Sequence, residues 1–253
     1  MRLRQVCLVA EKLEATVEVL AELLATEVCF RDPGIVFFGL ENALLPLGSD
    51  FLEVVAPVRE DAAASRHLAR RGAGGYMLLF QCADGLAARE HALAQGAQTV
   101  WQTDEKGICA THFHPRSLPG AIVSVDSMED GDDFLRPDSR WDWAGPDWKS
   151  CRRDNGIVAL AGAVIESPEP RILSERWSAV LDRPPASEDP QRIPMDGSEM
   201  YFRQASDGDP IFSEFLLTHS EPQGVFERAM SLGLEVSEAG VDVAGIRIGF
   251  RKP

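Results

Sequence analysis

The apolar residues of this chain change their spacing in a repeating order. Residues 4–10 alternate weakly, as a strand does. From Lys12 onward Leu13, Val17, Leu20, Leu23 and Leu24 recur at helical spacing, predicting a helix to about residue 25. Asp32-Pro33-Gly34 marks a turn. Short apolar runs at 35–40, 42–47 and 51–55 then read as three strands, with Pro46 at a strand end or edge because it has no N–H for a ladder. A short helix is predicted over 61–71, stopped by Gly72 and the Gly74-Gly75 pair. The order then returns: a strand at 76–82, a helix at 85–95 ended by Gly96, and strands at 98–102, 107–114 and 121–126.

The stretch 127–156 breaks this order. It is rich in Asp and Pro and brings Trp141, Trp143 and Trp148 close together, which predicts a segment packed across a domain face rather than a disordered linker. Beyond it the pattern is fainter. Strands are expected at 157–165, 192–195, 200–203 and 211–217 and as a final pair within 241–250, with helices at 170–181 and 222–232. The simplest account is an α+β chain of four β-α-β-β-β modules, two per half. Its expected domains are 1–126, a connector at 127–156, and a degenerate second copy at 157–253.

Charge narrows the partners. With 25 basic against 40 acidic residues the net charge is −15, which argues against nucleic acid as a partner, since that needs a basic face. A small anionic substrate is still admissible, because a pocket can hold local arginines. The 5 cysteines, Cys7, Cys29, Cys82, Cys109 and Cys151, are scattered without a C-x-x-C, the usage of reduced thiols in a cytoplasmic protein. Glu11, Glu14, Glu18 and Glu22 interrupt the N-terminal apolar residues, so no signal peptide is expected there, and no run is long enough for a membrane span.

Certain residues carry more than pattern. Gly39-Leu-Glu-Asn-Ala-Leu-Leu-Pro-Leu-Gly48 with Phe51-Leu-Glu-Val-Val-Ala-Pro57, and His114-Pro-Arg116 followed by Gly120, resemble the vicinal oxygen chelate superfamily (glyoxalase, bleomycin resistance and dioxygenase proteins), in its glyoxalase-like branch. The resemblance is good over 1–126 and faint over 157–253. It implies that paired modules form half-open barrels around a substrate. It also implies a divalent metal held by first-strand and closing-strand residues, which polarises vicinal oxygens. Placed on this chain, the ligand positions fall at Gln5 and Glu53 in the first module but at Met77 and Ser124 in the second, where neither side chain suits a hard metal. The second half shows no clear ligand set.

Two readings of the site follow. In one, His112 and His114, two apart and so on one face of a strand, complete a metal site with Gln5 and Glu53. In the other, no metal is needed. Glu53, set among Phe51, Leu52, Val54 and Val55, is desolvated and acts as general base or acid, with the histidines as its complement. Arg116 then holds a substrate carboxylate or phosphate, and Gln5 and Cys7 line the cleft. The plainer alternative is that Glu53 pairs with an arginine and His114 caps the turn at Pro115. Arg66, Arg70 and Arg71 read as a solvated helix end, and Arg152-Arg153 similarly.

The leading expectation is a glyoxalase-like enzyme performing proton transfer, isomerisation or lyase chemistry on a small oxygenated, oxo- or hydroxy-acid-like substrate. The rival is a metal-free small-molecule sequestering protein of the bleomycin-resistance type, and a third reading is a non-catalytic scaffold. No membrane partner is expected, and a homodimer is left open.

Overall fold

The structure, a computed structural model, describes residues 1–129 and 133–253; residues 130–132 of the expected connector lie outside the described residues. The first module comprises β1 (Arg2–Val9), α1 (Leu13–Leu24), β2 (Leu40–Leu47) and β3 (Asp50–Pro57), followed by α2 (Ala63–Arg71). The second comprises β4 (Gly74–Gln81), α3 (Gly85–Ala94), β5 (Thr99–Glu105), β6 (Ile108–Phe113) and β7 (Ile122–Met128). After two short 3-10 turns, Asp142–Ala144 and Trp148–Cys151, a third module runs through β8 (Ile157–Ser167), α4 (Pro170–Leu181), β9 (Arg192–Pro194) and β10 (Glu199–Gln204). The fourth is β11 (Ile211–His219), α5 (Gln223–Ser231), β12 (Glu235–Ser237), β13 (Gly240–Val243) and β14 (Ile246–Arg251).

The strands form two sheets of seven, in the orders β2-β3-β1-β4-β7-β6-β5 and β12-β13-β14-β11-β8-β10-β9. The chain divides into two compact units. One, here the Glu53 unit, is Gln5–Gly75, Trp141–Leu160 and Glu214–Pro253; the other, the His112 unit, is Met1–Arg4, Tyr76–Arg140 and Ala161–Ser213. The first therefore gathers the first and last modules, and the second the middle two.

In the Glu53 unit the helical stripe Leu13, Val17, Leu20, Leu23 and Leu24 is buried. It lies over β2 and β3, where Ala43, Leu45, Leu52 and Val54 are fully buried. Parallel pairing of β1 with β3 places Val6 beside Leu52 and Leu8 beside Val54, so one face of these strands is wholly apolar under the helix. Each fully buried leucine of the stripe stabilises by about 2 kcal/mol. Because strand side chains alternate, the opposite face carries Gln5, Cys7 and Glu53.

One expected strand is absent. Residues 35–38 belong to a 3-10 turn, Pro33–Phe38, and Leu40 already opens β2; the Asp32 side chain accepts from Gly34 N at 2.8 Å. Pro33 presets the turn, and Phe37, 74 % exposed, has no core to drive it into a strand. What persists of a third pairing is a single bridge between Phe30 and Leu44.

In the His112 unit α3 begins at Asp84, whose side chain accepts from Ala87 N, and packs on β6 and β7. Its Arg89 is buried, reaching Thr111 Oγ1 at 2.6 Å and both oxygens of Asp104 at 2.8 Å. Trp177 of α4 is fully buried against Phe202, ring centroids 5.6 Å apart.

Candidate functional site

The polar face of β1, β2 and β3 is a closed hydrogen-bonded cluster. Register sets it: Cys7 lies beside Glu53 on β1 and β3, and Leu44 faces Glu53 across the antiparallel β2–β3 pair, one alternation from Asn42. Gln5 Nε2 donates to Glu53 Oε2 at 2.9 Å and Asn42 Nδ2 to Glu53 Oε1 at 2.7 Å. Asn42 Oδ1 in turn accepts from the Asp32 N–H at 2.8 Å. Gln5, Cys7, Asn42 and Glu53 are all buried.

The lid of this cluster comes from the connector. Trp141, 1 % exposed, donates its indole N–H to Gln5 Oε1 at 2.8 Å. Trp148 stands edge-on to Phe51 at 5.0 Å between centroids and carries the Arg152 guanidinium over its own ring at 5.5 Å. Gly145, at φ +79, lets the strap pass the Phe30 ring, since a Cβ there would stand 2.4 Å from it. Trp141 and Trp148 are thus buried, and Arg152, itself exposed, lies over the Trp148 ring.

Burial raises the Glu53 pKa above the ordinary carboxyl value, opposed by hydrogen bonds from Asn42, Cys7 and Gln5 and reinforced by the charge of Asp32. The Cys7 thiol is pushed well up by burial and then by Glu53, so it stays protonated. Among the described residues no arginine pairs with Glu53; its partners are two amides and a thiol.

The histidine pair does not behave as its spacing suggests. Strand β6 ends at Phe113, and His114 turns away from it. The His114 N–H donates to Gln98 O at 2.7 Å, and its ring Nδ1 accepts from Arg116 N at 3.0 Å. His114 is therefore a turn-capping residue, and the same-face argument for the two histidines fails because the extended chain stops one residue too early. Arg116 is exposed in that turn. His112 remains on β6, on the face opposite Thr111 and α3, with its ring 4.5 Å from that of Trp101. It is half-buried, and desolvation lowers its pKa to about 4. Gln5, Cys7 and Glu53 are brought together in one unit, while His112, His114 and Arg116 belong to the other.

A metal requires oxygen or nitrogen lone pairs turned toward a common point. Here the Gln5 carbonyl oxygen is taken by Trp141 and each Glu53 oxygen by an amide. Among the described residues no group of three or more His, Cys, Asp or Glu side chains is placed to hold a metal ion. The expected set of Gln5, Glu53, His112 and His114 does not fit one.

A second polar cluster was missed from the sequence. Ser124 Oγ donates to Asp126 Oδ1 at 2.5 Å on β7, both fully buried, and the β6–β7 register sets Ser124 beside His112. Gln81 faces Asp126 across the β4–β7 pair, donates to Arg140 O at 2.9 Å, and lies by Ser139, whose carbonyl accepts from Arg4 Nη2 at 3.2 Å. The visible signal was the period-two pair of polar residues, Ser124 and Asp126, inside an apolar strand.

A family model described as a glyoxalase-like domain matches residues 5–181. The chain belongs to the glyoxalase-like domain family, within the vicinal oxygen chelate superfamily. A mutant of 4-hydroxymandelate synthase from Streptomyces coelicolor superposes with a TM-score of 0.67 at 16 % identity, covering 92 % of this chain and 75 % of that one, which shows a shared fold. Two methylmalonyl-CoA epimerases are similar over about half of this chain. The one from Streptomyces coelicolor has a TM-score of 0.46 and 22 % identity over 51 % of this chain and 99 % of its own. That from Mycobacterium tuberculosis has 0.45 and 19 % over 51 % and 89 %. Among curated proteins nothing matches. Among the described residues no helix is long and apolar enough to cross a membrane.

Proposed function

We propose that the chain is an enzyme that moves a proton on a small oxygenated substrate, an isomerase or lyase acting on an oxo- or hydroxy-acid, with Glu53 as the group that takes or gives the proton. The observation that carries this reading is the burial of Glu53 among Gln5, Cys7 and Asn42, which raises its pKa above the ordinary carboxyl value and suits it to proton transfer. Gln5 and Asn42 hold the two carboxyl oxygens, so the proton has defined positions. For substrate to reach Glu53, the Trp141 indole must leave Gln5, which frees an amide carbonyl to accept from a substrate hydroxyl.

The test is deuterium wash-in at the carbon beside the carbonyl in a panel of 2-oxo and 2-hydroxy acids, followed by NMR. Exchange catalysed by the wild type and lost in Glu53→Gln supports the reading; exchange unaffected by Glu53→Gln overturns it.

One observation favours a second reading. The cluster is saturated, with every oxygen of Gln5 and Glu53 already accepting. A protein that only sequesters a small molecule needs no reacting group, and its ligand affinity would survive Glu53→Gln unchanged.

A further inference from the structure

We propose that Cys29 and Cys151 are the two halves of a reversible disulfide that pins the strap of residues 141–151 over the Glu53 face. The cross-link is independent of the reading of Glu53 as the reacting group; its effect on turnover rests on that reading.

Two segments of the Glu53 unit meet at matched offsets. Asn155 Nδ2 donates to Leu24 O at 2.9 Å and Ala25 O at 3.3 Å. Two residues back on one segment and two forward on the other, Arg153 pairs with Glu27 at 2.5 Å. The segments therefore run in opposite directions in step, and the next matched pair is Cys29 with Cys151. Arg152, at φ −62 and ψ 137, is extended, so the step is not lost between Arg153 and Cys151. Cys151 is the last residue of the 3-10 turn Trp148–Cys151, and a disulfide to Cys29 requires their Cα atoms to lie within about 7 Å.

Cys29 is held firmly in this place. Its N–H donates to Leu44 O at 2.8 Å, and its sulfur lies 3.8 Å from Ala144 O, within the strap itself. Both cysteines are free and half-buried, so a small oxidant has access. The two thiols also sense each other: burial first, and then Cys151, push the Cys29 thiol up to about 12. Cys29 is accordingly a poor first attacker, and Cys151 is the thiol that meets the oxidant.

The oxidant is a low-molecular-weight disulfide such as oxidised glutathione. The Cys151 thiolate attacks one of its sulfurs, the S–S bond breaks, and one glutathione leaves as a thiol after taking up a proton. Cys29 then gives up its proton and attacks the Cys151 sulfur of the mixed disulfide, expelling the second glutathione. Two protein thiols have lost two electrons and two protons, and the small disulfide has gained both. The product ties the end of the strap that bears Trp148 to the segment leading into β2, on which Asn42 sits. In the reduced protein that end is held by the buried Trp148 ring against Phe51 and by Arg153–Glu27, an exposed ion pair of small worth.

The test uses the full chain incubated with oxidised glutathione, then denatured. The expected result is a fall of two in the titre of 5 thiols, and a single peptide pair joining Cys29 to Cys151 in a non-reducing digest. The linked pair should be absent in Cys151→Ser, a half-exposed position that tolerates the change, and backbone hydrogen exchange over 141–151 should slow by roughly tenfold in the oxidised protein. An unchanged titre, or a link from Cys29 to another cysteine, overturns the proposal. Neither readout involves turnover, so a catalytically silent Glu53 leaves it standing, and an active Glu53 does not rescue it.

Discussion

Trp141 and Gln5 lie 136 positions apart in sequence, yet the indole N–H of one meets the amide oxygen of the other at 2.8 Å inside the protein. That contact converts what would be the open polar face of three strands into an interior. It also makes the strap the element on which the state of Glu53 depends.

Removing the indole N–H leaves a buried carbonyl without its donor. Trp141→Phe is expected to destabilise the protein by about 2 kcal/mol, from the unsatisfied oxygen and the lost ring volume. Urea unfolding checks this. In a Gln5→Leu background the same substitution should cost clearly less, since the acceptor is already gone.

Glu53 gives a pH dependence of definite sign. Its folded pKa lies above its unfolded value, so its contribution to stability is fully present below the unfolded pKa and is lost as pH rises through the folded one. Measured from pH 4 to 9, the urea midpoint of wild type should therefore fall relative to that of Glu53→Gln. A gap constant with pH would show that Glu53 is ionised at no cost.

His112 has the opposite linkage. A folded pKa near 4, below the ordinary imidazole value, makes its contribution fully present above the unfolded pKa and lost as pH falls toward 4. Wild type should lose stability between roughly pH 6.5 and 4 relative to His112→Gln. NMR titration of the ring should find it neutral at pH 6.

Arg89 and Asp104 offer a control away from both clusters. The Arg89 guanidinium holds the Asp104 carboxyl down at about 2. In Arg89→Ala, Asp104 should titrate near 4 by carbon-detected NMR. The stabilising contribution of Asp104, fully present above its unfolded pKa and lost as pH falls through about 2, should vanish with it.

The helical stripe from Leu13 to Leu24 and the apolar strands beside it were legible in the sequence because burial imposes a period on both. So was the buried position of Glu53, whose neighbours at 52 and 54 face the helix. The strand at 35–40 was misread because an apolar run says nothing of whether a core awaits it; Asp32 and Pro33 settle that locality as a turn. The pairing of His112 with His114 failed on a boundary of one residue, which alternation cannot locate. Trp141 closing on Gln5 was beyond reach for another reason. A contact across 136 positions leaves no periodic trace, and only the clustering of three tryptophans hinted that the segment had something to cover.

The strands that carry Gln5, Asn42 and Glu53 and the strap that covers them are separate stretches of chain, and so they can change independently over generations. Two proteins with the same strands but different straps would expose the same carboxyl to different depths, and so to different molecules. A single altered residue in the strap, with every strand untouched, would be enough to turn an enclosed carboxyl into an accessible one.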